Sequence, residues 1–442
     1  MVTKRRRKTS YSTKRRKRET SYDSIQIDNN DKQNQRLDPS ITDLPLDILA
    51  NILLRLSATS IITCKRVCKT WRDLILDPTF AKHAYLVVQE NTTILFRDIQ
   101  SYLIEPKNDP DFHPGFCHCE SMFCRPSCHS SDINLETRLK VPLCKTNVMT
   151  TSENVRKVRL SRYSIVNSCN GLLCLISRQD HHDPVVVCNP ITGEFIHISN
   201  ILPESSDSKH VWVSDVFGLG FSPKNNHYKV IRMISHWDPD SPCRTILEAE
   251  VYTLGAGSRK KVDNVPFPAL YLQFHTYLNG VLYWLSNIRP TKIFSFDLDM
   301  EQFHLHNVPS GCCRKRLTMG VLGGSLYVCE SETSDHVRIG IWVMEKYGDR
   351  NSWTKLFTIE EYGYYGGPRD GSFRPISYLN NGTTLLLVHS PSNKLIHYHL
   401  TGLNGVKSKS IWICGRKMYF QVIVHTPSFI SLKDILMEAN TN

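Results

Sequence analysis

The chain has 442 residues, which at roughly 150 residues per domain leaves room for about three domains. Apolar residues make up 40% and charged residues 22%, so most of the chain can bury a core. Apolar runs such as Ile52 to Leu54 and Leu385 to Val388 fall far short of the ~18 residues a membrane span needs, and a soluble protein with no membrane partner is expected. Of the net charge of +12, residues 1–20 carry +9: Lys4, Arg5, Arg6, Arg7, Lys8, Lys14, Arg15, Arg16, Lys17 and Arg18 face one acid, Glu19. The body is close to neutral, so the basic pI reports a tail and not a basic binding surface. No apolar stretch marks a secretory leader. The fifteen cysteines are an odd number, which argues against a fully paired disulfide framework. Cys174, Cys188 and Cys329 sit in apolar strand-like runs, where a reduced thiol behaves as a small hydrophobe. A reducing compartment is expected.

Residues 1–40 are polar and charged, and a segment of that composition cannot offset the entropy of ordering it. A disordered tail is expected. Its clusters at 4–8 and 14–18 match a two-part nuclear import signal, against the plainer reading of a solvated tail with loose affinity for polyanions. The expected location is the nucleus, with the cytoplasm as a second site.

Residues 41–83 form a helical module. Leu46, Ile48, Leu49, Ile52, Leu53 and Leu56 follow a 3.6-residue rhythm. Asp43 is placed to cap that helix, with Pro45 in its first turn and Asp47 against the positive end of the dipole. Val67, Trp71, Leu74 and Ile75 mark another helix, ended by Asp77-Pro78. Ser57 to Thr63 leaves room for a short helix between them. Three short helices in about 40 residues lie near the lower limit for a lone core. The module is expected to need a partner or the following domain to hold its shape.

From Ile94 onward the pattern is all β: short apolar or alternating runs separated by turn chemistry. Asn170-Gly171, Asn279-Gly280, Gly323-Gly324 and Asn381-Gly382 each precede an apolar strand, followed by a second strand, a turn and a third. One more unit, FGLGFSPKNNHYKVIRM with AEVYTLGAGSRKKV, fills the longest gap. A repeat of roughly 40–55 residues with three to four strands is the signature of a propeller. About six units are expected between Tyr85 and Trp412. Trp284, Trp342 and Tyr327 fall at blade-core positions. Unpaired strand edges at both ends would invite aggregation. The strand near Tyr419 to His425 is therefore expected to close the ring by pairing with Tyr85 to Val88.

The string LPLDILANILLRLSATSIITCKRVCKTWRDLILDPTF at 44–80 closely resembles the F-box motif. Asn51 stands where an acidic residue is common and Ser57 where proline is usual. The downstream chain resembles the F-box-associated domain of plant F-box proteins. The matching strings are Ser168-Cys-Asn-Gly-Leu-Leu-Cys174, Cys188-Asn-Pro-Ile-Thr-Gly193, Phe217-Gly-Leu-Gly-Phe-Ser-Pro223, His227-Tyr-Lys-Val-Ile231, Glu250-Val-Tyr-Thr253 and Leu278-Asn-Gly-Val-Leu-Tyr-Trp284. The resemblance implies a non-catalytic substrate receptor of a Skp–cullin–F-box ubiquitin ligase. Its F-box would dock a Skp-type adaptor, and through it cullin and RING subunits. The β domain would recruit a protein target. The docking residues so implied are Leu44, Pro45, Ile48, Leu49, Ile52, Leu53, Val67, Cys68 and Trp71. The expected domains are a tail at 1–40, the F-box at 41–83, a propeller-like domain at 84–430 with a Cys-rich insertion at 105–135, and a tail at 431–442.

Two other constellations carry chemistry-bearing residues. Cys117, Cys119, Cys124 and Cys128 lie with His113, His118 and His129 in a compact spacing unlike paired zinc knuckles, and a Cys-rich surface loop without metal is expected. His181-His182-Asp183 precedes Pro184 and reads as a polar loop. No H-E-x-x-H, G-x-S-x-G or phosphate-loop motif occurs, so neither a catalytic residue nor a cofactor is expected. A competing reading is a nuclear polyanion-binding scaffold acting through the tail. That tail lacks the interleaved aromatics of a single-strand binder apart from Tyr11 and Tyr22, so nucleic acid is not the expected partner.

Overall fold

The computed structural model describes residues 41, 44–88, 94–97, 101–104, 139–141, 163–177, 184–198, 213–238, 241–257, 259–266, 268, 272–312, 316–333, 337–346, 349, 352–361, 371–379, 382–390, 394–400, 408–411 and 421–438. The chain divides at Ile48. The unit Met1–Ile48 contributes, among the described residues, Ile41, Leu44, Pro45 and the opening of the first helix. The unit Leu49–Asn442 holds the rest of the helices and the whole β domain.

Four helices come first: α1 (Leu46–Leu54), α2 (Ala58–Cys64), α3 (Lys69–Ile75) and α4 (Pro78–Val88). Side chains between them satisfy the amide groups that a helix start leaves without partners. Ser57 is extended, and its hydroxyl accepts from the Ser60 N–H at 3.2 Å, capping α2. Cys68 does the same for α3, its sulfur accepting from the Trp71 N–H at 3.5 Å. The Asp77 carboxylate accepts from Thr79 N–H at 2.9 Å and Phe80 N–H at 3.2 Å, with Pro78 in the first helical position. The expected stop at Asp77-Pro78 is therefore also a start. Tyr85 to Val88, expected as a strand, is the last turn of α4. A short apolar run fits either period, and the cap upstream decides it.

The β domain comprises six four-stranded antiparallel sheets among the described residues. In chain order the strands of the first are β1 (Ile94–Arg97), β2 (Ser101–Ile104) and β3 (Leu139–Val141). The second holds β4 (Tyr163–Cys169), β5 (Leu172–Ser177), β6 (Val185–Asn189) and β7 (Glu194–Ile198). The third holds β8 (Val213–Ser222), β9 (His227–Asp238), β10 (Ser241–Thr253) and β11 (Arg259–Val262). The fourth holds β12 (Leu272–Leu278), β13 (Val281–Ser286), β14 (Lys292–Asp297) and β15 (Gln302–Asn307). The fifth holds β16 (Arg316–Leu322), β17 (Ser325–Thr333), β18 (Val337–Met344) and β19 (Trp353–Glu361). The sixth holds β20 (Ser372–Leu379), β21 (Thr384–Ser390), β22 (Lys394–His399) and β23 (Ser408–Ile411). A last strand, β24 (Gln421–Val424), returns to complete the first sheet in the order β24-β1-β2-β3.

Each sheet is a blade, and β24, β4, β8, β12, β16 and β20 contact one another in a closed ring. The expected closure occurs with a different mate: Gln421–Val424 pairs with Ile94–Arg97, in the register Ile94↔Val424 to Arg97↔Gln421. Pairing the last strand with the first removes the open edges of an unclosed array.

The repeat begins one strand earlier than the sequence pattern suggests. Asn170-Gly171 and Asn279-Gly280 sit between the first and second strands of their blades, with φ of 46° and 84°, then 46° and 82°. Positive φ at both central residues is the hairpin geometry that Asn-Gly favours. The first strands escape an apolar pattern because polar side chains on them reach the backbone of neighbouring blades. Asn167 on β4 donates to the Leu219 carbonyl on β8 at 2.7 Å and accepts from the Leu219 N–H at 3.0 Å. Gln421 on β24 accepts from the Ile165 N–H on β4 at 2.8 Å and donates to the Ile165 carbonyl at 3.2 Å. Tyr277 on β12 donates to the Phe221 carbonyl on β8 at 3.0 Å, and Thr318 on β16 to the Phe373 carbonyl on β20 at 2.7 Å. Arg374 on β20 donates to the Val422 carbonyl on β24. Gly218 on β8 faces Leu282 and Trp284 so closely that an added Cβ would press on both.

The blade cores are apolar. Trp284 and Tyr327 are fully buried, while Trp342 is half-buried with the Lys355 ammonium 5.3 Å from its ring. Cys174, Cys188 and Cys329 are buried free thiols. Burial pushes the Cys174 thiol far up and that of Cys329 up to about 12, so both remain protonated hydrophobes. Beyond β24 the chain does not trail off as a tail. Residues Leu432–Glu438 form a fifth helix, α5, with Leu432 buried and Ile435 and Leu436 packed against the core between the second and third blades.

Candidate adaptor-docking site

Helix α1 carries two apolar stripes at i, i+4 spacing: Leu49 with Leu53, and Ile48 with Ile52. The structure uses them differently. Leu49 and Leu53 are 1% and 0% exposed. They pack with Ile61, Ile75, Phe80 and Ala84 of the other helices and with Leu173, Leu175 and Val186 of the second blade. The helical module therefore has no separate core; it shares one with the propeller. That meets the need for outside support expected of so small a unit.

This is a correction to the docking set read from the sequence. Leu49 and Leu53 are core residues without surface to offer a partner. Cys68 is half-buried and its thiol is engaged in capping α3. Trp71 is half-buried against the shared core, and its indole N–H is buried with no acceptor among the described residues. Leu44 is half-buried and Pro45 exposed. Ile48, Ile52 and Val67 remain 45%, 39% and 63% exposed.

Leu46 and Leu76, which were not in that set, are also exposed. Leu46 could have been found as the first residue of α1, where no preceding turn exists to cover it. Leu76 offered no such signal; its exposure follows from its place as the C-cap of α3. Burying an apolar side chain of this size contributes about 1.5–3 kcal/mol, so their exposure stores a driving force for association. The module also exposes charges of both signs: Arg55, Arg66, Lys69 and Arg72 with Asp47, Asp73 and Asp77, Arg72 being paired at 3.2 Å with Asp73.

Among the described residues, no cluster of three or more histidine, cysteine or acidic side chains could hold a metal. The Cys/His cluster at 113–129, the His181-His182-Asp183 turn, Asp43 and the basic clusters at 4–8 and 14–18 all lie outside the described residues.

Residues 41–83 match the F-box domain, and residues 122–431 match the F-box associated beta propeller domain. An F-box/kelch-repeat protein of Arabidopsis thaliana is 23% identical over 395 residues, covering 84% of this chain and 94% of its own. An F-box protein of the same plant is 26% identical over 344 residues, 72% of this chain and 73% of its own. The F-box protein CPR1, also from Arabidopsis thaliana, is 25% identical over 417 residues, 88% of this chain and 86% of its own. With four helices ahead of a ring of six blades and both regions matched, this chain belongs to the family of F-box proteins with an F-box associated beta propeller domain.

Proposed function

We propose that the chain is a substrate-receptor subunit of a Skp–cullin–F-box ubiquitin ligase. The F-box docks a Skp-type adaptor through Ile48, Ile52 and Val67, with Leu44 and Pro45 at the start of α1, and the propeller presents a target protein. The chain itself performs no chemistry in this reading. It holds two proteins at a fixed separation so that ubiquitin transfer occurs within reach of the target.

The observation that carries the reading is the split use of α1. Its Leu49–Leu53 stripe completes the core while the adjacent Ile48 and Ile52 stay in water, with Val67 exposed in the turn before α3. A helix in a self-sufficient module has no use for the second stripe. Membership in the F-box family supports the adaptor as the occupant. The basic N-terminal clusters complete the proposal as a nuclear import signal.

Co-purification of the full chain with a Skp-type adaptor tests the docking. Wild type should retain the adaptor through a salt wash. Ile52→Asp with Val67→Asp should lose it while the β domain melts unchanged. Adaptor binding by that double variant at wild-type level would refute the assignment.

A further inference from the structure

The two strings at 168–174 and 188–193, with Glu194 next to the second, carry polar side chains that reach beyond their own hairpins. In the structure they receive the chain that follows β24. His425 is buried, and its Nδ1 lies 2.9 Å from the Ser168 hydroxyl. Ser428 is buried against Gly171, whose φ is +84° and where an added Cβ would overlap the Ser428 side chain and backbone. Asn189 accepts from the Ile191 N–H at 2.9 Å, which forms its own turn, and donates to the carbonyls of Ser428 at 3.0 Å and Ile430 at 2.8 Å. The Glu194 carboxylate accepts from the Ser431 hydroxyl at 3.0 Å and from the Leu432 N–H at 2.7 Å, capping α5. These bonds join residues some 240 positions apart in the chain.

The destination of Phe429 gives this segment a role beyond closing the ring. Its ring is 1% exposed and belongs to the same apolar cluster as Leu49, Leu53, Ile61, Ile75, Phe80 and Ala84 of the helical module. Glu194 also acts on the turn after α2. Burial lowers the pKa of the Lys65 ammonium, and the Glu194 carboxylate opposes that shift. The chain from β24 onward thus completes the first blade, bonds to the second blade through Asn189 and Glu194, and through Phe429 enters the apolar cluster that holds the F-box helices.

We propose that residues 425–438 are a positioning strap that sets the orientation of the F-box on the propeller, with Phe429 as its pin and Asn189 and Glu194 as its clasp. The strap acts through the helices it holds and touches neither adaptor nor target. Its consequence for ubiquitin transfer rests on the function proposed above; its effect on orientation does not. Without the pin, the module still shares its remaining apolar cluster with the second blade but loses the residue that joins it to the C-terminal end of the ring.

The test uses the full chain with fluorophores attached through azido side chains at the exposed positions Asp73 on α3 and Met300 in the fourth blade. Single-molecule energy transfer then reads their separation. Wild type should give one narrow population. Phe429→Ala should shift it and add a broader one, and Phe429→Leu should restore the narrow population. The melting transition of Phe429→Ala should fall, as for any large-to-small change in this shared cluster, so the separation is read well below it, where the amount of adaptor retained should stay as in wild type. Asn189→Ala with Glu194→Gln weakens the clasp without opening the apolar cluster, and carries the test if Phe429→Ala fails to fold. A narrow, unshifted population in the folded variants would overturn the strap. Failure of wild type to retain an adaptor would refute the function above and leave the separation measurement intact.

Discussion

The helical module and the propeller draw on the same apolar residue types and dispose of them in opposite ways. In the fourth blade, Val281 to Ser286 on β13 is buried on both faces, because each blade is covered by the next. In α1, alternate stripes one residue apart end in opposite environments, Leu53 in the core and Ile52 in water. A ring of sheets supplies every apolar face with a neighbour from its own chain. The short helices share one apolar cluster with the second blade and leave Ile52 and Val67 outside it. The described blade cores are covered from within the chain, whereas Ile48, Ile52 and Val67 of the F-box stay exposed.

The most severe way to break this comparison is to open the ring. Truncation after Trp412 removes β24 and the strap together and leaves β1 without its partner. The product should lose its cooperative melt and aggregate in size-exclusion chromatography; a monomer that melts like the full chain would refute closure as the source of stability. Next in size is the contrast within α1. Leu53→Ala should destabilise the unit by about 2–5 kcal/mol in denaturant titrations. Ile52→Ala should cost less than about 1 kcal/mol of stability yet weaken adaptor binding about tenfold. Equal effects of the two on stability would erase the distinction between the stripes.

Acid should bear on the ring more than on the docking surface. Burial lowers the imidazole of His275 from 6.5 to about 4 and that of His425 from 6.5 to about 3. Their folded-state pKa values lie below the unfolded ones, so the unfolded chain takes up protons first as pH falls. Stability is full above about pH 6.5 and declines toward pH 4, with a loss of about 4 kcal/mol for the pair by pH 5. A pH series of melts checks this, and substitution of both histidines by glutamine should flatten the profile. Asn167→Ala should follow at about 2–3 kcal/mol, because it strands the buried N–H and carbonyl of Leu219. The smallest effect belongs to Cys68→Ser. It exchanges a weak thiol cap of α3 for a good hydroxyl cap and should raise the melting temperature slightly, by less than about 1 kcal/mol in stability.

Local chemistry in the sequence was enough for the elements whose causes are local. The 3.6-residue rhythm places α1 and α3 within two residues, and the gap it leaves from Ser57 to Thr63 holds α2. Asn170-Gly171 and Asn279-Gly280 mark hairpins because positive φ at two successive residues is a requirement of the turn itself. Periodicity also shows that α1 has more apolar surface than a small module can bury. It cannot say which stripe goes inside, since Leu49–Leu53 and Ile48–Ile52 differ by one position and neither residue type prefers one.

That choice was made by the second blade, whose Leu173, Leu175 and Val186 meet one stripe only. The same holds for the ring's mate. Tyr85 to Val88 and Ile94 to Arg97 are equally short apolar runs, and only the cap at Asp77 and the pairing with Gln421–Val424 separate helix from strand. The strap was invisible for a related reason. Phe429, Asn189 and Glu194 each look ordinary in their own neighbourhoods, and they acquire a role only where the ring brings positions some 240 residues apart into hydrogen-bond distance. Sequence period determines which faces are apolar, and tertiary packing decides which of those faces find a partner within the chain.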